Sequence, residues 1–364
     1  MRVPLNDTKR QYLAMADEID AAMRATMASG WYVMGDQHSQ FETEFAAYCR
    51  CRFAVAVANG TDALEIALRV VGCGAGDEVI TVANAGGYTT SACVLVGATP
   101  VYVDVDTSLT MSPDSAAEAL SERTKAIVVT HLYGKMADVA GVWQVVAGRD
   151  VAVIEDCAQA HGAMFENCRA GSLGDLGTFS FYPTKNLGTM GDGGAIVTQR
   201  PEYAERARML RQYGWAEKYR AVLPEGRNSR LDELHAAILR KKLPHLDAWN
   251  QRRRDIVARY GDAAAGSKLQ FVHQPASDYV AHLCIARYPD RDRLQKRLDE
   301  RGIGTGVHYP IPDHRQESMR GRSWRAVDLP ITERAVHEIL TFPCFAEMTD
   351  GEVDYVCDAI RELS

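Results

Sequence analysis

Val151-Ala-Val-Ile-Glu-Asp156-Cys-Ala-Gln159 and Gly177-Thr-Phe-Ser180-Phe-Tyr-Pro-Thr-Lys185-Asn-Leu-Gly188 are the two stretches that decide the fold. Each is a short β-branched or aromatic run that stops abruptly at polar residues. A strand buried on both faces of a parallel sheet reads this way when it reaches the rim. Open α/β sheets place their ligands at the rim formed by the carboxyl ends of the strands. The two stretches therefore deliver a carboxylate, Asp156, and an amine, Lys185, to a site where small molecules bind.

Working outward, the same texture recurs from residue 53 to residue 200. Phe53–Val57, Glu78–Val82, Pro100–Asp104, Lys125–Thr130, Val151–Glu155, Thr178–Phe181 and Gly194–Thr198 read as strands. Helical stretches over Asp62–Val71, Thr90–Val96 and Pro113–Leu120 alternate with them, which predicts a mostly parallel sheet covered on both faces. Beyond residue 200 the pattern turns to helices over Glu202–Tyr213 and Leu231–Tyr260. A smaller α+β unit follows, with a strand near His282–Tyr288 and helices at Arg291–Arg301 and Asp350–Leu363. The boundary falls near the long helix, giving a large domain over 1–248 and a small C-terminal domain over 249–364.

The composition is that of an ordinary globular chain: 364 residues, 46% apolar and 24% charged. A net charge of −7 argues against nucleic acid or an anionic membrane as the main partner. No run approaches the ~20 apolar residues of a membrane span, and the start lacks a signal-peptide core. A cytoplasmic location is expected. The nine cysteines are odd in number and scattered, without zinc-site spacing. They read as buried reduced thiols, and no metal is expected.

A carboxylate and an amine at one rim suit pyridoxal phosphate (PLP), whose aldehyde condenses with a lysine and whose ring nitrogen pairs with an acid. Lys185 is the candidate Schiff-base lysine, its alternative being a surface lysine. The glycines of Gly188–Gly194 let a bulky group approach. Asp156 is the candidate partner of the pyridinium, with a helix N-cap as the alternative. Gln159 shares its face if the chain turns helical there, and reaches the ring oxygen or covers the ring. The phosphate cup has two walls. Gly60 and Thr61, in Asn59-Gly-Thr-Asp62, offer free N–H groups at a strand-to-helix junction, and Ser180 offers a hydroxyl. Gly72-Cys-Gly74-Ala-Gly76 imitates a dinucleotide loop but follows a helix and precedes a strand, the reverse of the required order. It reads as a helix C-cap and turn, which disfavours a nucleotide-redox enzyme.

Further ordered motifs run the length of the chain. They include Ser29-Gly-Trp-Tyr-Val-Met-Gly35, Asn59-Gly-Thr-Asp-Ala-Leu64, Gly97-Ala-Thr-Pro-Val-Tyr-Val-Asp104 and His131-Leu-Tyr-Gly134. Glu155-Asp-Cys-Ala-Gln-Ala-His-Gly162, Gly191-Asp-Gly-Gly194, Gly226-Arg-Asn-Ser-Arg230 and His308-Tyr-Pro310 continue them. With these, the sequence resembles the fold-type I PLP aminotransferases that act on nucleotide sugars, the DegT-like (DegT/StrS) family.

The resemblance implies an α/β large domain with a mostly parallel seven-stranded sheet between helices, plus a small α+β domain. It implies Lys185 as the catalytic lysine, with Asp156, Gln159, Gly60, Thr61 and Ser180 on the cofactor. It also implies Asn228 reaching the phosphate of a neighbouring subunit, hence a homodimer with shared active sites. Where relatives have Thr-aromatic-x-Ala-Thr, this chain has Asn84-Ala-Gly-Gly-Tyr88-Thr-Thr, so Tyr88 is assigned as the ring stacking on the cofactor. His161, Tyr182, His308 and His314 are candidates to contact donor or sugar, and Arg230 to pair with a donor carboxylate. The motif variants look most like members that aminate C3 of dTDP-3-keto-6-deoxyhexoses from L-glutamate. The alternatives are C4 or inosose amination and, from another class, a non-catalytic PLP-binding regulatory homologue.

Overall fold

The β-branched runs form strands where the sequence places them, and their order fixes where the site lies. A computed structural model describes residues 1–363. Its principal sheet runs Phe53–Val57, Gly194–Thr198, Leu176–Ser180, Ala152–Asp156, Thr124–Thr130, Glu78–Val82, Thr99–Val103, Arg325–Ala326. All neighbours are parallel except at Gly194–Thr198, which lies antiparallel to both of its neighbours. The sheet thus has the expected seven strands plus a two-residue eighth at one edge. That edge strand comes from the C-terminal part of the chain and pairs with Thr99–Val103.

Helices cover both faces because the strands are apolar on both sides. Gly60–Val70 buries Ala63, Leu64, Ile66, Ala67 and Leu68 against one face. Asp36–Cys49 buries Phe41 and Phe45 against the other, where they meet Phe179 and Phe181 edge-on with ring centroids 4.9–5.3 Å apart. Such pairs contribute ~0.5–1.5 kcal/mol beyond area burial. Asp36–Cys49 has no cap from its own sequence. Instead the Glu233 carboxylate accepts from the backbone N–H groups of Gly35, Gln37 and His38 at 2.8–2.9 Å. An anion there meets the positive end of the helix dipole.

The single helix expected over Leu231–Tyr260 is divided. Glu233–Lys242 gives way to a 3₁₀ turn at Leu243–His245, and Leu246–Ala263 follows. Pro244 has no N–H to continue the ladder, which accounts for the break. Ile256, Val257 and Tyr260 on the second helix pack in a separate core with the antiparallel strands Gln270–Phe271, Cys284–Arg287 and Ile339–Phe342. Val3 from the N-terminus belongs to this core too and bridges Ile303. Gly72 and Gly76, both at positive φ, form the turn after Gly60–Val70, as the order of elements required. No helix among the described residues is long and apolar enough to cross a membrane. Among them all nine cysteines are unpaired, eight buried and Cys168 half-buried.

Candidate active site

Three strand ends meet at one rim. Asp156 is the last residue of its strand, Ser180 the last of the next, and Val57 leads into Asn59 and the helix Gly60–Val70. Gly194 starts the antiparallel strand between them, opposite both Val57 and Ser180. The approach is so close that a Cβ on Gly194 would lie 2.4 Å from the carbonyl oxygen of Asn59. The rim opens on a cavity of about 500 Å³ whose wall includes Asn59, Gly60, Thr61, Tyr88, Asp156, Ser180, Tyr182, Lys185, His282, His308 and Tyr309.

Lys185 lies at the end of a tight turn, its N–H donating to the carbonyl of Tyr182 at 2.9 Å. Among the described residues its Nζ has no hydrogen-bond partner. Burial lowers its pKa to about 8, with the nearby Asp156 carboxylate opposing that fall. Asp156 is 5% exposed. Burial raises its pKa, against a backbone hydrogen bond from Ala158 at 3.1 Å and the Lys185 charge. Among the described residues this buried carboxylate has one amide donor and no ion pair, an arrangement that is costly unless a cation completes it. A protonated ring nitrogen is such a cation. At the other end, the side chain of Asn59 caps Gly60–Val70 by accepting from the N–H of Asp62 at 2.8 Å. The helix N-terminus beside the Ser180 hydroxyl fits an anion. The residues therefore fit PLP: an amine for the aldehyde, an acid for the ring nitrogen, a helix N-terminus for the phosphate.

Of the other expected residues, Tyr88, Tyr182 and His308 line the cavity. Tyr88 is 48% exposed and meets Tyr309 edge-on at 6.3 Å. Gln159 is buried behind that wall. Its Oε1 accepts from the N–H of Tyr133 at 2.6 Å and its Nε2 donates to the Tyr309 hydroxyl at 3.1 Å. It supports Tyr309 rather than opening on the cavity.

Four expected contacts fall elsewhere in this chain. His161 is fully buried against Phe179 and Phe181, and its pKa falls to about 3 through burial and the Lys185 charge. His314 lies between Tyr102 and Trp324, and its Nε2 is taken by Glu333 at 2.9 Å. Arg230 stands over the ring of Tyr213, outside the cavity. Asn228 is exposed and also outside the cavity, its backbone bridged to Gln212.

Tyr309 and His282 are polar cavity residues that the sequence analysis does not single out. Tyr309 sits inside the His308-Tyr-Pro310 motif, and Gly86 makes room for it: a Cβ there would lie 2.9 Å from its ring. His282 stands just before an apolar strand, and a polar residue at such a boundary was the available signal. Among the described residues, one group outside the cavity has metal-ligating types, His131, Glu155 and Cys157, with ligand atoms within 4.8 Å of one another. The Glu155 oxygens are already taken by His131 Nε2 and the N–H groups of Gly171, Leu173 and Gly174, at 2.6–2.9 Å.

Comparison with known proteins agrees with this geometry. The chain is 42% identical to dTDP-3-amino-3,4,6-trideoxy-alpha-D-glucose transaminase of Streptomyces venezuelae, over 99% of this chain and 96% of that protein. It is 40% identical to a "pleiotropic regulatory protein" of Geobacillus stearothermophilus, over 100% and 99% of the two chains. The crystal structure of S. venezuelae DesV in complex with a ketimine intermediate matches with a TM-score of 0.95 at 41% identity, covering 99% of this chain and 98% of that one. The profile of the DegT/DnrJ/EryC1/StrS aminotransferases spans residues 14–361, and the chain belongs to that family.

Proposed function

We propose that this chain moves an amino group from L-glutamate to C3 of a dTDP-3-keto-6-deoxyhexose. PLP is the cofactor. The observation that carries the reading is the pair at the rim: an unpartnered amine, Lys185, and an unpaired buried carboxylate, Asp156, opening on one cavity. The relatives named above supply the sugar class, and the C3 position follows theirs.

When bound, PLP supplies an aldehyde that exchanges amines and a ring that withdraws electrons. Asp156 keeps the ring nitrogen protonated. Gly60, Thr61 and Ser180 hold the phosphate. Lys185, its pKa lowered to about 8, would take the α-proton of the amino donor and hand a proton back within that same half-reaction, then act in the reverse sense to deliver a proton to the sugar carbon, as a general base working near that pH can. Tyr88 and Tyr309 wall the ring, while Tyr182 and His308 face the substrates.

We further propose a homodimer in which Asn228 crosses to the partner's phosphate cup. Exposed Trp31, Tyr32, Met190, Tyr213, Tyr219 and Val222 support it, since large apolar side chains exposed in this number mark an interface. Arg230, beside Tyr213, would then serve the partner's site.

The test is direct. Purified protein is expected to be yellow, and glutamate to shift the band to shorter wavelength. Lys185→Ala is expected to abolish the borohydride-fixed adduct and turnover. A variant that transaminates like the parent overturns the assignment. Locating the new amine by NMR after incubation with dTDP-3-keto and dTDP-4-keto sugars decides C3 against C4. A regulatory, non-catalytic protein would bind PLP and turn over neither. Mixed Lys185→Ala and Asn228→Ala subunits are expected to regain activity, and no regain rejects the shared site.

A further inference from the structure

Asn186 follows Lys185 in the chain, and its amide is fully engaged. Nδ2 donates to the carbonyl of Val280 at 2.9 Å and to Oδ1 of Asn250 at 2.8 Å. Asn250 in turn donates through Nδ2 to the carbonyl of His161 at 2.8 Å. Backbone carbonyls only accept, so each amide has a single consistent orientation. Oδ1 of Asn186 then faces Nδ1 of His282 at 3.0 Å. An amide oxygen cannot donate, so the imidazole proton sits on Nδ1 and Nε2 keeps a free lone pair.

His282 lines the cavity alongside Lys185. Among the described residues its Nε2 has no protein partner, and neither has Nζ of Lys185. Burial, followed by the charges of Lys185 and Arg253 and the nearby rings of His161 and His308, holds the imidazole well below the ordinary histidine range. Both effects favour the uncharged ring. It is a fixed acceptor on the cavity that also holds an amine lacking one, and its orientation is set through the residue next to that amine in the chain.

We propose that His282 is a positioning residue for Lys185, its Nε2 accepting a hydrogen bond from Nζ whenever the amine is free. With one N–H held there, the nitrogen lone pair is turned toward the carbon that loses its proton. The inference rests on the reading of Lys185 as the base.

The holoenzyme with ¹⁵N-histidine tests it, the His282 signal being identified by its loss in His282→Gln. An Nδ1-protonated, Nε2-free ring is expected throughout pH 6–9. An Nε2-protonated ring or an imidazolium overturns the proposal. Kinetically, His282→Phe removes the acceptor, while His282→Gln restores one through Oε1. The single-turnover rate with glutamate is expected to fall about tenfold in His282→Phe, the scale of one lost positioning hydrogen bond. Half-saturating glutamate should stay within about twofold of the parent, and His282→Gln should recover most of the rate. An unchanged rate in His282→Phe, or His282→Gln no faster than His282→Phe, overturns it. Lys185→Ala assayed in parallel separates the failures: turnover there rejects the base itself, whereas an inert Lys185→Ala with a fully active His282→Phe rejects His282 alone. If His282→Phe does not fold, the tautomer measurement decides.

Discussion

Gly60 lies against Ser180 so closely that a Cβ on residue 60 would sit 2.7 Å from the Cβ of Ser180. That distance is inside van der Waals contact, so the helix start and the strand end cannot both keep their places once a methyl is added. These are the two walls assigned to the phosphate. Gly60→Ala is therefore expected to weaken PLP retention at least tenfold on dialysis while leaving the fold assembled. Gly261 provides the contrast. It lies inside the helix Leu246–Ala263, and a Cβ there meets nothing within 4 Å. Gly261→Ala should stabilise the protein by about 0.5–1 kcal/mol through helix propensity alone. Cofactor retention and thermal melting on the two variants check both statements.

The rim was legible in the sequence because strand ends are punctuated by composition. Asp156, Ser180 and Gly60 stand where apolar runs stop, and a local window suffices to see that. Pro244 was equally visible, yet the apolar spacing on either side of it carried the reading of one long helix across the break. What could not be read is whatever depends on residues distant in the chain. The tautomer of His282 is set by Asn186 and Asn250, which no periodicity connects. Gln159 follows Asp156 by three residues, but Tyr309, from far along the chain, takes its amide. Arg325–Ala326 is too short to show a strand pattern at all. The surroundings of His161 and His314 are illegible for one reason: a histidine in a sequence carries no mark of which neighbours enclose it.

Lys185 gives a pH-dependent prediction whose sign follows from its environment. Burial lowers the amine's pKa to about 8, and only the neutral amine condenses with an aldehyde. The rate at which cofactor-free protein takes up PLP is expected to rise with pH and level off above about 8. An exposed lysine would keep rising toward about 10.4. Stopped-flow absorbance over pH 6–10 distinguishes the two, and a rise that continues past pH 9.5 would falsify the buried-amine account.

Asp313 is the second pH-sensitive group. It is 1% exposed, and burial raises its pKa to about 7 against the Thr90 hydroxyl, 2.8 Å from Oδ2, and the nearby Gly87 and Gly86 amides. Thr90 leads on to the Tyr102 hydroxyl at 3.1 Å, and it lies on the helix that starts with Tyr88. A carboxyl whose folded pKa is raised binds its proton more tightly in the native state. Its stabilising contribution is complete below the unfolded value near 3.9 and is lost as pH climbs through about 7. The loss is at most about 4 kcal/mol by that shift. Asp313→Asn mimics the protonated form. It is expected to melt higher than the parent at pH 8 and within about a degree of it at pH 4.5. Equal melting temperatures at pH 8 would rule the buried acid out.

Glu42 and Arg211 brace the strand that leads into the phosphate loop. Glu42 accepts from the N–H of Ala56 at 2.8 Å, and Arg211 donates to the carbonyl of the same residue at 2.7 Å. The two side chains also bond each other, 14% and 4% exposed. Burial alone would raise the Glu42 pKa, but the hydrogen bond from His38 and the Arg211 charge outweigh it and hold it at about 2. Because this folded pKa is depressed, the stability it contributes is present above the unfolded value near 4.3 and is lost as pH falls toward 2. Glu42→Ala leaves the Arg211 guanidinium buried without its counter-ion, a loss of about 3–5 kcal/mol at neutral pH. Arg211→Met with Glu42→Leu removes both charges and should recover much of that loss, since matched apolar replacements avoid the unpaired ion. Urea unfolding of the single and double variants measures it. A double variant no more stable than Glu42→Ala would mean that the backbone bonds to Ala56, rather than the ion pair, hold the strand in place.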